Sequence, residues 1–232
     1  MMTSYLQRRG ELQTYFDRTA VDAWARLTST APVSRIRATV RAGRDQMRNA
    51  LLEMLPADLQ GRRLLDAGCG TGALSVGAAQ RRAGVVAVDL SPTLVSLARE
   101  RLPAQPGFGS IEFRVGDMFD TSLGDFDHVV AMDSLIHYQL HDVVRILAGF
   151  AARTRRSIVF TFAPKTAALT LMWTAGRLFP RGDRAPAIVP VAESSLRRAL
   201  AEEPLLHQWR IGRTQRVASG FYKSQAMELV KL

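Results

Sequence analysis

The chain has almost no cysteine, little histidine and no uninterrupted apolar run long enough to span a membrane. One cysteine among 232 residues, Cys69, excludes an internal disulfide and any site built from several cysteines, and it points to a reducing compartment. The histidines at 128, 137, 141 and 207 are too scattered to suggest a protein metal site. The least charged stretch, SIVFTFAPKTAALTLMWTAG over 157–176, is cut by Pro164 and Lys165, and its first half is β-branched and aromatic. It therefore reads as a short strand, not as a spanning helix. The start, MMTSYLQRRGELQ, lacks the apolar core of a signal peptide, so the expected setting is the cytoplasm.

Low-complexity segments and fixed-period repeats are absent as well, and the length suits one catalytic unit. What the chain does have is positive charge: 31 Lys and Arg against 21 Asp and Glu, a net charge of +10, most of it arginine. That balance attracts anions of any kind, whether nucleic acid, an acidic membrane face or a small polyanion, and does not choose among them.

Residues 1–60 read as helical. Ile36, Val40, Met47, Leu51 and Leu55 recur at helical spacing, and Tyr15, Phe16, Trp24 and Leu27 form an earlier apolar set. From Arg62 short apolar strands alternate with helices: RRLLDAG, GALSVGAAQRR, VVAVDLS, PTLVSLARERL, IEFRVGD, FDHVVAMDSL, a helix around 140–152, then RSIVFTFAP. Such alternation predicts a mostly parallel sheet with helices on both faces. An apolar, arginine-punctuated insertion over 164–190 interrupts it. A helix starting near Ser194 and two strands, around QWRIGRTQ and SGFYKSQAMELV, complete a seven-stranded sheet that ends in a hairpin.

The run LLDAGCGTGALS, 64–75, joins a strand ending in Asp66 to Gly68, Gly70 and Gly72. Glycines there let the backbone approach a ligand closely. A second strand ends in Asp89, 17 residues beyond Gly72, where a carboxylate can accept both hydroxyls of a ribose. The spacing G-x-G-x-G and the acid at Asp66, close to where a pyrophosphate would lie, fit a dinucleotide less well. They suit a ligand carrying an amino group and a sulfonium, whose own carboxylate can use the amides of the following helix. Cys69 reads as a small turn residue, without a basic neighbour to make it a thiolate.

These residues resemble the class I S-adenosylmethionine-dependent methyltransferases. The resemblance implies a Rossmann-like α/β sheet of seven strands with the last one antiparallel, an N-terminal helical cap or lid over 1–60, and a methyltransferase domain over 61–232 whose 164–190 insertion faces the substrate. It implies S-adenosylmethionine as methyl donor, with Asp66, Gly68, Gly70, Gly72, Asp89, Leu90, Asp117, Met118 and Met132 around it. In VGDMF, Asp117 would accept from the adenine amino group and Met118 would lie on the ring. No protein-bound metal is implied.

The flanks carry a second resemblance. YFDRTAVDAWARL, VSRIRATVRAGRDQMRNALLEML, DSLIHY and RVASGFYKSQAMELV are similar to the magnesium-protoporphyrin IX O-methyltransferases of chlorophyll and bacteriochlorophyll synthesis, with Ala20 and Val21 where a Gly-Phe pair is more usual. The reaction implied is esterification of one propionate of Mg-protoporphyrin IX. A propionate is already ionised near pH 7, so alignment and exclusion of water matter more than proton removal. By this resemblance His137 and Tyr15 face the transfer site, with Tyr138 beside them. Met172, Trp173 and Arg177 of the insertion, with Leu169, Leu178, Phe179, Arg181 and Arg184, would line a porphyrin cavity, an arginine holding the second propionate. The plainer alternatives are a capping or buried His137, a core Tyr15 and ordinary helical packing in the insertion. Implied partners are the magnesium chelatase large subunit, as donor of substrate, and peripherally a photosynthetic membrane face.

A nucleic-acid methyltransferase is disfavoured: the fourth strand ends in AMDSL without a proline-aromatic motif, no spare cysteine exists, and the arginines are dispersed. A methyltransferase of a quinone or other small phenol is the nearer rival, with His137 as base. A non-catalytic S-adenosylmethionine-binding protein is the alternative outside the enzymes.

Overall fold

The computed structural model describes residues 2–16, 28, 34–103, 109–165 and 188–232. The expectations for Leu169, Met172, Trp173, Arg177, Leu178, Phe179, Arg181 and Arg184, and for Ala20, Val21, Trp24 and Leu27, lie outside the described residues.

Strand β1 (Arg63–Ala67) alternates apolar against apolar: Leu64 belongs to one core cluster and Leu65 to the other. A strand buried on both faces needs that composition, and parallel sheets covered by helices on two sides produce it. The runs GVVAVD in β2 (Gly84–Asp89) and FDHVVA in β4 (Phe126–Ala131) follow the same rule. With β3 (Ser110–Val115), β5 (Thr154–Phe162), β6 (Trp209–Ser219) and β7 (Tyr222–Lys231) they make one sheet in the order β3-β2-β1-β4-β5-β7-β6. The first five strands pair in parallel, while β7 runs antiparallel to β5 and to β6. Gly220, at φ +55°, makes the tight β6–β7 turn with Phe221.

Among the described residues six α-helices cover the sheet: α1 (Met2–Thr14), α2 (Arg35–Glu53), α3 (Ala73–Gln80), α4 (Pro92–Glu100), α5 (Leu140–Ala151) and α6 (Glu193–Glu202). Local chemistry sets their starts. Ser91 accepts from the Leu94 amide at 3.2 Å with Pro92 in the first turn, and Leu94, Val95 and Ala98 then turn inward. Residues of α2, α3 and α4 share one cluster, and residues of α1, α5 and α6 the other.

Helix α2 is part of this sandwich, since Met47 and Leu51, with Leu55 and Leu59 beyond its end, lie in the same cluster as Leu64 and Val85. The apolar stripe read from the sequence is shorter at its start: Ile36 is 58% exposed. The reason is geometric, because α2 first meets the β6–β7 hairpin at Thr39, whose carbonyl accepts from Ser219 at 2.9 Å.

Candidate functional site

The strand order reverses between β1 and β4, and in such sheets a crevice opens at the carboxyl ends beside that point. Here it is a cavity of about 1000 Å³ to which α1, α2, the glycine turn and the ends of β2, β4 and β7 all contribute.

Asp66 ends β1 inside the sheet, 1% exposed, and accepts from Ser75 Oγ at 2.5 Å. Burial lifts its carboxyl from 3.8 to about 7, with the Ser75 hydrogen bond opposing and Asp89 adding to the rise. The turn after it is tied back to β2, because the Gly68 and Cys69 amides both donate to the Val88 carbonyl. Gly68 sits at φ +83°, and a Cβ there would come within 2.6 Å of the Ser134 side chain. Glycine is thus required both by the conformation and by the approach of the β4 end. Asp89 accepts from the Gly70 amide at 2.8 Å and the Ser91 amide at 3.0 Å; burial raises its carboxyl, and these amides restrain the rise. Leu90, Met118 and Met132 line the same cavity. The Cys69 thiol is pushed well up by burial and by Asp66 and Asp89, the opposite of an activated thiolate.

Asp117 sits in the loop after β3 and is held by α1. One of its oxygens accepts from the Tyr5 hydroxyl at 2.7 Å and the Phe119 amide at 2.9 Å, the other from Arg9 at 2.7 Å. Burial and Asp117 raise the Tyr5 phenol, which keeps it a donor. Tyr138 is 3% exposed, and its ring stacks on Tyr5 at 5.5 Å, so it lines the cavity from within the core. Arg8 donates to the His137 carbonyl at 2.9 Å.

Of the four histidines, His137 alone lines the cavity. It closes a short 3-10 turn, Leu135–His137, is largely buried, and meets the Phe16 ring edge-on at 6.1 Å. Tyr15 packs against Phe16 at 5.2 Å and lines the same cavity, its phenol raised by burial. The two residues assigned to transfer by resemblance therefore both line the cavity and both pack against Phe16.

Sequence reading missed Tyr5 and Arg9, which share a helical face at i and i+4, and it missed the hub at Asp133. Asp133 has φ +54° and pairs with Arg44 at 2.6 Å. It also accepts from Tyr222 at 3.0 Å and Thr161 at 3.3 Å, while its amide donates to Thr161 at 2.7 Å. Gly43 makes room for this, since a Cβ there would stand 2.6 Å from the Tyr222 ring. Beside the hub, the buried Ser134 hydroxyl has no hydrogen-bond partner among the described residues.

These residues fit S-adenosylmethionine. A buried carboxylate held near neutrality suits a cationic amino group, two further carboxylates suit ribose and adenine donors, and the orphaned Ser134 hydroxyl suits a polar atom of the ligand.

The family model for the magnesium-protoporphyrin IX methyltransferase C-terminus matches residues 131–231, and a methyltransferase-domain model matches 64–157. A magnesium-protoporphyrin O-methyltransferase from Rhodobacter capsulatus is 48% identical over 98% of this chain and 99% of its own. The chloroplastic magnesium protoporphyrin IX methyltransferase of Arabidopsis thaliana is 31% identical over 94% of this chain and 70% of its own. The crystal structure of magnesium protoporphyrin IX methyltransferase from Synechocystis PCC 6803 with bound SAH overlays with a TM-score of 0.83. It is 29% identical and covers 96% of this chain and 99% of that one.

Proposed function

This chain belongs to the magnesium-protoporphyrin IX methyltransferase family, and we propose that it esterifies one propionate of Mg-protoporphyrin IX with the methyl group of S-adenosylmethionine. The observation that carries the acceptor is the reach of the likeness. It runs the length of the chain and includes 131–231, beyond the β1–β3 strand ends that bear Asp66, Asp89 and Asp117. A phenolic acceptor would share only the cofactor half.

Asp66 takes the amino group of the cofactor, Asp89 the ribose hydroxyls and Asp117 the adenine amine. Gly68, Gly70 and Gly72 keep the backbone close, and Leu90, Met118 and Met132 supply apolar contact. The chemistry the cofactor supplies when bound is an electrophilic sulfonium methyl. Because a propionate is ionised near pH 7, no side chain has to remove a proton. His137 and Tyr15 orient the carboxylate, Tyr15 as a hydrogen-bond donor because its phenol is raised. Helix α1 closes over the cavity and excludes water, and Tyr138 supports that wall through Tyr5. We extend the proposal to a porphyrin contact through Met172, Trp173 and Arg177, to delivery by the magnesium chelatase large subunit, and to a cytoplasmic enzyme in peripheral contact with a membrane face. No described helix is long and apolar enough to cross a membrane, and the net charge of +10 suits an anionic surface.

The test is to incubate the protein with S-adenosylmethionine and Mg-protoporphyrin IX and to separate the pigments by chromatography. The expected product is a monomethyl ester that disappears when either reactant is omitted. No ester, with cofactor binding demonstrated in the same sample, would move the acceptor to a phenol.

A further inference from the structure

The cavity is electrically two-ended. Toward the ends of β1, β2 and β3 its wall carries Asp66, Asp89 and Asp117. Toward α2 it carries Arg41, Arg44 and Arg48 against Asp45 and Asp133, and the start of β7 adds Lys223. A sulfonium suits the first end and an anionic acceptor the second. Arg44 and Arg48 are already engaged, with Asp133 at 2.6 Å and Asp45 at 2.7 Å. Lys223, by contrast, makes no side-chain ion pair or hydrogen bond among the described residues.

Strand geometry says where Lys223 points. Tyr222 and Ser224 both turn to Asp133, at 3.0 and 3.4 Å, so the period of two sends Lys223 to the opposite face of β7. It shares that face with Gln225, whose amide reaches Glu193 of α6 at 2.7 Å. Two large apolar side chains that line the cavity are also open to solvent, Phe221 in the hairpin turn at 58% and Ile188 at 41%. Exposed apolar surface lining the same cavity as a cation is what the rim of a flat apolar ring with an anionic arm requires.

Building on the methyl-transfer reading above, we propose that Lys223 holds the propionate that is not methylated, while Phe221 and Ile188 carry the edge of the macrocycle. The β6–β7 hairpin then sets the preference for a porphyrin with a second carboxylate, and His137 and Tyr15 attend to the first.

Full-length wild type, Lys223→Gln and Lys223→Arg are titrated with Mg-protoporphyrin IX, its monomethyl ester and its dimethyl ester, reading porphyrin fluorescence. The same proteins are then assayed for turnover. For Lys223→Gln the Kd and KM of the diacid are expected to rise about twofold to fivefold, the size of one partly solvated ion pair, with kcat within about twofold. The monomethyl ester, which keeps the second propionate, loses as much; the dimethyl ester and S-adenosylmethionine lose nothing; and Lys223→Arg restores the diacid. Unchanged diacid binding, or an equal loss for diacid and dimethyl ester, would overturn the assignment. A wild type that binds the diacid without making ester would end the methyl-transfer reading, while the binding series still decides on Lys223.

Discussion

At the scale of single residues, Asp66 is the group whose ionisation the fold disfavours most usefully. Its carboxyl rises from 3.8 in the open chain to about 7 when folded, chiefly through burial. A folded value above the unfolded one means the native state holds the proton more tightly, so stability contributed by this group is present at low pH and is lost as pH rises through 7. In the free protein the ionised Asp66 therefore costs a few kcal/mol, at about 1.4 kcal/mol per pH unit of displacement. A bound amino group offsets that cost. Cofactor affinity is accordingly expected to weaken as pH falls from 8 to 6, by up to about tenfold per unit below 7, in isothermal titration. Asp66→Asn should melt higher than wild type at pH 8, with a gain that shrinks toward pH 4, and should bind the cofactor at least about tenfold more weakly. A flat wild-type affinity between pH 6 and 8 would show that the buried carboxylate does not meet the cation.

At the scale of elements, the strands and helices around the cofactor are legible because each carries its signal locally. The acid at the strand end, the glycine spacing and the Ser-Pro start of α4 all lie within a dozen residues of what they organise. Helix α1 is different. Its polar sequence gives little amphipathic pattern, and what holds it is long-range: Tyr5 and Arg9 on Asp117, and Arg8 on the His137 carbonyl. No local periodicity announces a bond between residues more than a hundred positions apart. Two of these three bonds converge on one carboxylate, and with the buried Leu12 they fall on the single face 5, 8, 9 and 12, so the helix is held along one narrow face. Arg9→Gln removes the charged half of the tether at a pair whose side chains are 36% and 19% exposed, an interaction worth about 1 kcal/mol or less. Hydrogen exchange is expected to quicken severalfold over 2–14 and to stay unchanged in β1, β4 and β5. Faster exchange throughout the sheet would mean that α1 belongs to the cooperative core and is not a cover.

At the scale of the molecule, the Asp133 hub joins parts that the chain order keeps apart. Its partners come from α2, β5 and β7, and they close the antiparallel end of the sheet onto the parallel end beside the cavity. The sequence displays Asp133 only as one more polar residue after a strand, because a hub is defined by what surrounds it and not by its own neighbours. Two features of Asp133 can be separated by substitution. Its charge pairs with Arg44 with both side chains largely buried, and its backbone lies at φ +54°, a region that Asn tolerates and Ala does not. Asp133→Asn keeps the conformation and removes one charge of a largely buried pair, a loss of about 3 kcal/mol or less. Asp133→Ala removes the charge and adds the backbone penalty, about 1 kcal/mol more. Urea denaturation of the three proteins is expected to order them wild type, Asn, Ala, with both variants also binding Mg-protoporphyrin IX less tightly as Arg44 and Tyr222 lose their anchor. Equal stability of wild type and Asn would mean that α2 is held by its apolar stripe alone, and the polar hub would then serve the cavity without holding the fold.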